Sequence, residues 1–414
     1  MGLVLFEDSR TPQLSPATLA RPASCIQCGG YRLLDLLEEL QLPARQIVRP
    51  HLGAIVAADT NADPGPPAEG FTLFINARLI PSAHFLPALQ AWCNNPQPGV
   101  VRCGESIAAA LVQNKVDETQ CTDMGSVEDY LTSQDLEPHE LELTLFEYPN
   151  EIIKYHLEIF ADNLAHRINR GGYRETGSQL FLAPGAQLHP SATTDTSQGP
   201  IVLEGGAAVG PHSHLRGPLL IGANTQVLEH AAIKSHTSSG KSCKLGGEIS
   251  CSIIESYSNK AHHGFLGHSY LGSWVNLGAG TTNSNLKNTY GEIQMRYGAK
   301  HIATGMQFIG CILGDYTKTA INTSIFTGKT VGVCSMLYGF VTENVPSFVN
   351  YARQFGQTTE MTPQVATTIQ ARMFSRRGIQ ARDCDRALLE DLYSMTSVDR
   401  DLFESNLTTE PLVF

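Results

Sequence analysis

The sequence lacks an apolar run of the roughly 18–20 residues that a membrane-spanning helix requires. It also lacks an excess of positive charge: 29 Lys and Arg stand against 40 Asp and Glu, a net charge of −11. The first absence argues against a membrane partner, and the second against a surface that wraps nucleic acid. Anionic small molecules stay open, because they need only a few placed cations. The start, Met1-Gly2-Leu3-Val4-Leu5-Phe6-Glu7-Asp8, has no basic region before its apolar run and does not read as a signal peptide. The ten cysteines follow no regular spacing, and Cys25-x-x-Cys28 has no second pair to complete a metal site. Reduced thiols in a cytoplasm are the expectation.

What is present is length and a core. With 414 residues, 42% hydrophobic and 17% charged, the chain is long enough for two or three folded units. From Leu203 an aliphatic residue recurs every six positions: Leu203, Val209, Leu215, Ile221, Val227, Ile233. Four residues after these stand Ala207, Ser213, Leu219, Thr225, Ala231 and Thr237, mostly small or β-branched. The pattern returns as Phe265, Leu271, Leu277 and again as Leu313, Thr319, Ile325, Val331, Leu337. A period of six is neither helical nor simple strand alternation. It predicts a hexapeptide parallel β-helix, wound left-handed, with three hexads closing one triangular coil and the aliphatic residue pointing inward. The stretches 237–264 and 283–308 fall out of phase and read as loops leaving the prism or as coils with poor consensus.

The remaining chain reads differently. Strand-like runs at Leu3–Phe6, Ala54–Ala58 and Phe71–Ile80, with a helical stretch Tyr31–Leu40 between them, predict an α/β domain over residues 1–145. Asp59–Gly70 reads as a surface loop. Ile153, Leu157, Phe160, Leu164 and Ile168 share one helical face, so 146–172 is expected to bridge to a β-helix over 173–345. Thr362-Pro363 opens a helix with Val365, Ile369 and Met373 on one face and Arg376-Arg377-Gly378 at its end, within a helical tail over 346–414. The two arginines complement the helix dipole more readily than they hold a CoA phosphate.

The densest polar cluster is Asn259-Lys260-Ala261-His262-His263-Gly264-Phe265-Leu266-Gly267-His268, followed by Asn276-Leu277-Gly278-Ala279-Gly280-Thr281 and Asn285. This region resembles the acetyltransferase domain of the bifunctional enzymes that make UDP-N-acetylglucosamine. It is most similar to their alternative bacterial form, a sugar nucleotidyltransferase family. That form also carries a segment like Leu14-x-Pro16-x-Thr18-x-x-Arg21-Pro22, and the resemblance covers most of residues 1–350. It implies a nucleotidyltransferase-like α/β domain ahead of the β-helix and acetyl transfer from acetyl-CoA to glucosamine-1-phosphate. It further implies uridylyl transfer from UTP with Mg²⁺, and a homotrimer, since CoA sites of such enzymes form between neighbouring prisms.

Residue by residue, the resemblance places His262 as the base. Phe265, Asn276 and Asn285 fall at substrate positions, and Ala279, Gly280 and Thr281 at CoA positions; Lys260 and Lys287 are the nearest cations for the sugar phosphate. Two departures stand out. Phe265 replaces a tyrosine of the family, and the Lys260–Phe265 spacing is one residue shorter than in the bifunctional enzyme, which keeps His263 as a rival base. The residue types suit the chemistry. An imidazole can take the amine proton near neutral pH, and a tight Gly-Ala-Gly turn offers backbone N–H groups to the oxyanion. Asn276 and Asn285 read equally well as an asparagine ladder, and both lysines as solvated face residues. In the N-terminal domain the first strand runs into Glu7-Asp8-Ser9-Arg10 without a glycine-rich loop. Arg10, Arg21, Asn76 and Arg78 are the nucleotide candidates there, with Asp8 or Asp59 for a metal. Competing readings are a nucleotidyltransferase whose β-helix only oligomerises, a non-catalytic assembly protein, and a zinc enzyme like the β-helix carbonic anhydrases. The last would draw on His212, His214, His230, His236, His263 and His268.

Overall fold

The computed structural model describes residues 1–59, 70–113, 121, 123–403 and 407–413. The N-terminal part is built on one sheet. Its strand order is Ala44–Ile47, Gly2–Phe6, Phe71–Asn76, Ser106–Gln113, Gly99–Cys103. The first three strands are parallel and the last two form an antiparallel hairpin. Alternation along Gly2–Phe6 sets the two layers. Leu3 and Leu5 pack with Leu33, Leu36 and Leu37 of helix α1 (Leu33–Leu37), while Val4 and Phe6 share a second core. The run Ala54–Ala58, expected as a strand, lies in helix α2 (Gly53–Asp59) instead. So short an apolar run cannot tell strand from helix by periodicity. Helix α3 (Leu86–Asn94) joins the first core and α4 (Met124–Ser133) the second. Residues 60–69, most of the expected surface loop, lie outside the described residues.

Helix α5 (Asn150–Asn169) follows, where the sequence predicts a bridge. Its inward face is Ile152, Ile153, His156, Phe160, Asn163 and Leu164, with Leu157 to the side. Then the chain winds into a three-faced parallel β-helix. Leu203 pairs with Ile221, Val209 with Val227 and Leu215 with Ile233. Each partner stands three hexads further along, so three hexads do make one coil. The two out-of-phase stretches part ways. Residues 237–264 are genuine but short coils: Leu245 pairs with Lys260 and Ile249 with Leu266, both closer in sequence than three full hexads. Between Leu271 and its partner Leu313 the chain leaves the prism, carrying the hairpin Gln294–Tyr297/Lys300–Ala303.

One face of the prism is apolar on both sides. Ile201, Leu203, Leu219 and Ile221 fill the interior. Val202 and Leu220, between them, pack outward on Phe160 and Leu164 of α5. Further along, Ile253, Tyr270 and Ile312 meet Ile152, Ile153, Leu14 and Ile26. The C-terminal helices α6 (Pro363–Ser375) and α7 (Asp383–Met395) pack on one corner of the prism, at Val333, Cys334 and Phe348, and on Leu19 and Leu52 of the N-terminal part, and α8 (Ser397–Phe403) follows them. In α6 the buried positions are Ala366, Gln370 and Phe374, one residue on from the expected stripe, and Val365 is exposed.

Polar clamps cross between the N-terminal part and the prism, and the two buried most deeply lie around Arg21 and His156. The Arg21 guanidinium bonds Glu255 at 3.0 Å and Asp315. Glu255 Oε1 also accepts from the Gln27 amide at 2.8 Å and the Tyr270 hydroxyl at 3.0 Å. The second clamp is His156, whose Nδ1 accepts from the Gly29 amide at 2.9 Å while Nε2 donates to His236 O at 3.1 Å. That bonding fixes a neutral ring, and burial pulls the His156 imidazole down to about 3. A buried ion pair that loses one partner costs about 3–5 kcal/mol. Arg21→Ala is therefore expected to destabilise the chain by about that much in chemical denaturation. A phosphate-binding role alone would leave stability unchanged. For His156 the unfolded ring, with a pKa of about 6.5, binds a proton that the folded one refuses. Stability is thus full above about pH 6.5 and falls as pH drops toward the folded value. A denaturation series from neutral to acid pH should show the loss, with a shallower slope in His156→Gln.

Candidate active site

The resembling cluster sits where the shortened coils stack. Lys260 pairs with Leu245 and so takes an inward, aliphatic position; it is 1% exposed. Its ammonium donates to Gly246 O at 3.1 Å and to His262 O. Burial brings it down to about 8. Lys260 therefore does not present its charge to a substrate. It holds, from inside, the backbone of the corner that carries His262 and His263, both exposed to solvent. Gly264 ends that corner at φ +119, and a Cβ there would clash with Thr281 O. Only glycine fits.

One coil on lies Gly278-Ala279-Gly280-Thr281. Gly278 N donates to Thr319 Oγ1 at 2.9 Å, Gly280 N to His263 O at 3.1 Å and Thr281 N to Gly278 O at 3.1 Å. Among the described residues the Ala279 amide has no such partner. The Gly280–His263 bond places Ala279 one coil spacing, about 4.8 Å, from His262. Gly280 stands at φ +75, and Thr281 points inward to Thr319 Oγ1 at 2.6 Å.

Past the corner, on the adjoining face, Phe265 runs beside Glu248. A Cβ on Gly267 would clash with both the Phe265 ring and the Asn285 amide, so these two side chains converge above that glycine. The Asn285 Nδ2 donates to His268 Nδ1 at 2.9 Å, and Phe308 stacks on His268 at 5.3 Å. Burial, with a smaller repulsion from His236, brings His268 down to about 4. Asn276 lies on the face that leads into the corner. It bridges Asn259 and Lys318, and Arg377 donates to Asn259 Oδ1 at 2.9 Å. Arg377 is thus a surface clamp between helix end and prism. Lys287 is folded into its own loop on Glu292 O. One chain brings together His262, His263, Ala279, Gly280, Phe265 and Asn285, sets Asn276 on the face before them, and leaves Lys287 apart. The motif pattern does not reveal the His268–Asn285 pair. Its separation along the chain, about one short coil, is the signal that could have found it.

In the N-terminal part the charged candidates are already paired. Asp8 accepts from Arg78 Nε at 2.8 Å, Asn76 Nδ2 at 2.8 Å and Thr11 Oγ1 at 3.0 Å. Burial alone would raise Asp8, but the hydrogen bonds and charge of Arg78 leave it below the ordinary carboxylate range. Arg78 is 1% exposed. Arg10 bonds Glu105 at 2.5 Å and Glu147 at 3.5 Å, and Arg21 belongs to the clamp. Asp59 pairs with Arg382 at 2.6 Å. Asp8 therefore does not fit a Mg²⁺ site. Among the described residues no group of three His, Cys, Asp or Glu is placed to hold a metal, zinc included, although His212 and His230 stack at 5.3 Å. No described helix is long and apolar enough to cross a membrane.

The Lys260 clamp makes a separable claim. Lys260→Met keeps the volume and drops both carbonyl bonds. Folding should survive, while amide exchange at Gly246, Glu248 and Gly280, which donate to the carbonyls of Lys260, Gly264 and His263, rises about tenfold or more, as a loss of about 1.4 kcal/mol or more of local protection. Unchanged exchange would show that the ammonium only fills space.

Comparison with known proteins places these observations. Residues 3–169 match the family model described as sugar nucleotidyl transferase. A bifunctional sugar-1-phosphate nucleotidylyltransferase/acetyltransferase of Sulfurisphaera tokodaii is 31% identical over 97 residues, 23% of this chain and 24% of that protein. The bifunctional protein GlmU of Rippkaea orientalis is 32% identical over 160 residues, 37% of this chain and 28% of that protein. The chain thus spans about a quarter of the length of these relatives. Among solved structures, a UDP-N-acetylglucosamine acyltransferase of Francisella novicida aligns over 54% of this chain and 79% of its own. Its identity is 16% and its TM-score 0.21, a slight likeness. Residues 3–169 are thus similar to sugar nucleotidyl transferases, and shorter stretches of the chain are similar to bifunctional proteins, one of which is named for acetyl transfer as well.

Proposed function

We propose that the chain is a cytoplasmic homotrimeric transferase that moves the acetyl group of acetyl-CoA to the amine of glucosamine-1-phosphate at the 260–264 corner. Uridylyl transfer from UTP to N-acetylglucosamine-1-phosphate is the proposed second activity, in the N-terminal domain. The observation that carries the first reading is the pairing of two solvent-facing imidazoles with the unpartnered Ala279 amide one coil away. The family match supports the second.

The ammonium first loses one proton to solvent; His262 or His263 takes a second from nitrogen as the free amine attacks the thioester carbonyl. The C–N bond forms and the oxyanion develops where the Ala279 N–H can donate. Collapse breaks the C–S bond, and the imidazolium returns its proton to the leaving thiolate. His268 is a weaker candidate base. With its ring held at about 4 it takes a proton poorly at neutral pH, and its Nδ1 is already occupied by Asn285. Phe265 and Asn285 offer the sugar a ring face and an amide. Asn276 stands on the face that leads into this corner, three residues before Ala279, and its side chain accepts from Asn259.

Thiol release from acetyl-CoA, with and without glucosamine-1-phosphate, tests this. Substitution to alanine at the true base, His262 or His263, is expected to lower the rate about 10²–10⁴-fold, and His268→Ala less than either. No release from folded protein with any amino sugar phosphate would remove the acetyl-transfer reading. Pyrophosphate release from UTP would then be the remaining test of a transferase.

A further inference from the structure

The 260–264 corner is not where the molecule is most hollow. A cleft of about 880 Å³ opens where all three parts of the chain meet, near the upper end of small-molecule sites. Its walls come from residues 20–35 of the N-terminal part, one corner of the prism from Glu204 to Tyr316, and helices α6 and α7. None of His262, His263, Phe265, Ala279 or Asn285 lines it.

The charges in this cleft are matched. Arg21 is held by Glu255 and Asp315, Arg32 by Asp35, Arg167 by Glu204 at 2.8 Å, and Arg382 by Asp385 at 2.9 Å. Lys241 is the remaining cation of the wall. A polyphosphate needs uncommitted positive charge, and this wall offers little. What it offers instead is a set of fixed, planar donors and acceptors.

The aromatic part of the wall is less expected. One prism corner places a residue at positive φ in coil after coil: Gly206, Asn224, Ser242, Tyr257, Trp274, Tyr316, Cys334 and Phe348. Glycine and asparagine tolerate that conformation, and an aromatic residue there is strained. For Trp274 and Phe348 packing supplies the reason: Trp274 lies on Phe374 of α6 at 4.6 Å, and Phe348 on Tyr393 of α7 at 5.4 Å. Tyr316 sits in the same core as α6 and α7. Tyr257, at φ 66, stacks on Trp274 at 4.4 Å and lines the cleft, with the Lys241 ammonium over its ring at 5.6 Å. An aromatic ring backed by a second ring, with one ammonium and several neutralised guanidinium–carboxylate pairs about it, matches a pyranose: hydroxyls for the charged groups, the C–H face for the ring.

We propose that this cleft binds a neutral, polyhydroxylated ligand, a sugar without phosphate, stacked on Tyr257. The site is separate from the acetyl-transfer corner and does not depend on that reading. Tyr257→Asn tests it, because Asn224 already occupies the same corner position at φ 57. The substitution relieves strain, so melting temperature should hold or rise. Saturation-transfer NMR on the full chain would use N-acetylglucosamine and its β-1,4-linked dimer as neutral probes. Glucosamine-1-phosphate and UDP-N-acetylglucosamine would serve as anionic ones. The expected result is saturable binding of a neutral probe that weakens about tenfold or more in Tyr257→Asn and persists in the double variant His262→Ala/His263→Ala. Acetyl transfer, read separately, should be unchanged in Tyr257→Asn. Binding of neutral probes that ignores Tyr257→Asn, binding of the anionic probes alone, or no binding would each overturn the proposal, whatever the acetyl-transfer assay shows.

Discussion

Every coil of the prism must close on itself and present its strands in register to the coil below, and most of the chain's peculiarities follow from that. Stacking at about 4.8 Å leaves no room at the corners. A Cβ on Gly222 would clash with Gly240 O, and one on Gly246 with Ala261 O. Closure also demands left-handed backbone at the corners, so each corner becomes a column of residues whose side chains are aimed alike. The chain uses these columns as platforms. One carries the aromatic ladder against the C-terminal helices. Another carries His212 and His230, and a third carries His236, Cys251 and His268. The exposed imidazoles of His262 and His263 sit on a shortened coil, where closing the turn takes a lysine inside the prism to satisfy the carbonyls it frees. A buried ammonium is costly. Two carbonyl acceptors reduce that cost, and its depressed titration shows that they do not abolish it.

The hexads are legible because the coils with intact consensus are three full hexads long, and a period of six needs no knowledge of what lies outside the prism. The coils between Thr237 and Gly264 are not, because they are shorter than three hexads, which shifts the phase, and because Ser239 and Lys260 take inward places that aliphatics hold elsewhere. Which face meets the N-terminal part is also written in the sequence, in a different pattern. Ile201-Val202-Leu203, Leu219-Leu220-Ile221 and Cys311-Ile312-Leu313 are continuous apolar runs, the mark of strands covered on both sides. The other faces carry single aliphatics between polar residues. The chemistry of the site is legible as a set of neighbours and not as an arrangement. Asn276 and Asn285 stand about half a coil apart, so they lie on different faces even though the motif reads as continuous.

Charge is the least legible property. A sequence shows a guanidinium but not whether a carboxylate already holds it. Arg21, Arg78 and Asp8 look like ligands for a nucleotide, and each is committed in the fold. The ends of the three parallel strands illustrate why. Glu7, next after the first strand, receives Arg49 at 2.9 Å and 3.1 Å; Asp8 receives Arg78; Asn76 ties the third strand to Asp8. In open α/β sheets this edge is where ligands bind. Here it is closed by two buried ion pairs.

Those pairs constrain how the N-terminal domain could act. Removing one member of a buried pair costs about 3–5 kcal/mol, so a triphosphate cannot recruit Arg78 or Arg49 without leaving Asp8 or Glu7 unpaired in an apolar surround. A nucleotide at this edge must instead be held by backbone amides and by groups beyond the strand ends, such as Arg10, which is 36% exposed and loosely shared between Glu105 and Glu147. The prism faces no such restriction. Its polar work is done by backbone groups that coil closure aims outward regardless of charge. On the proposed reading, the corner at 260–264 would receive an anionic sugar and a thioester without dismantling any interaction on which the fold rests.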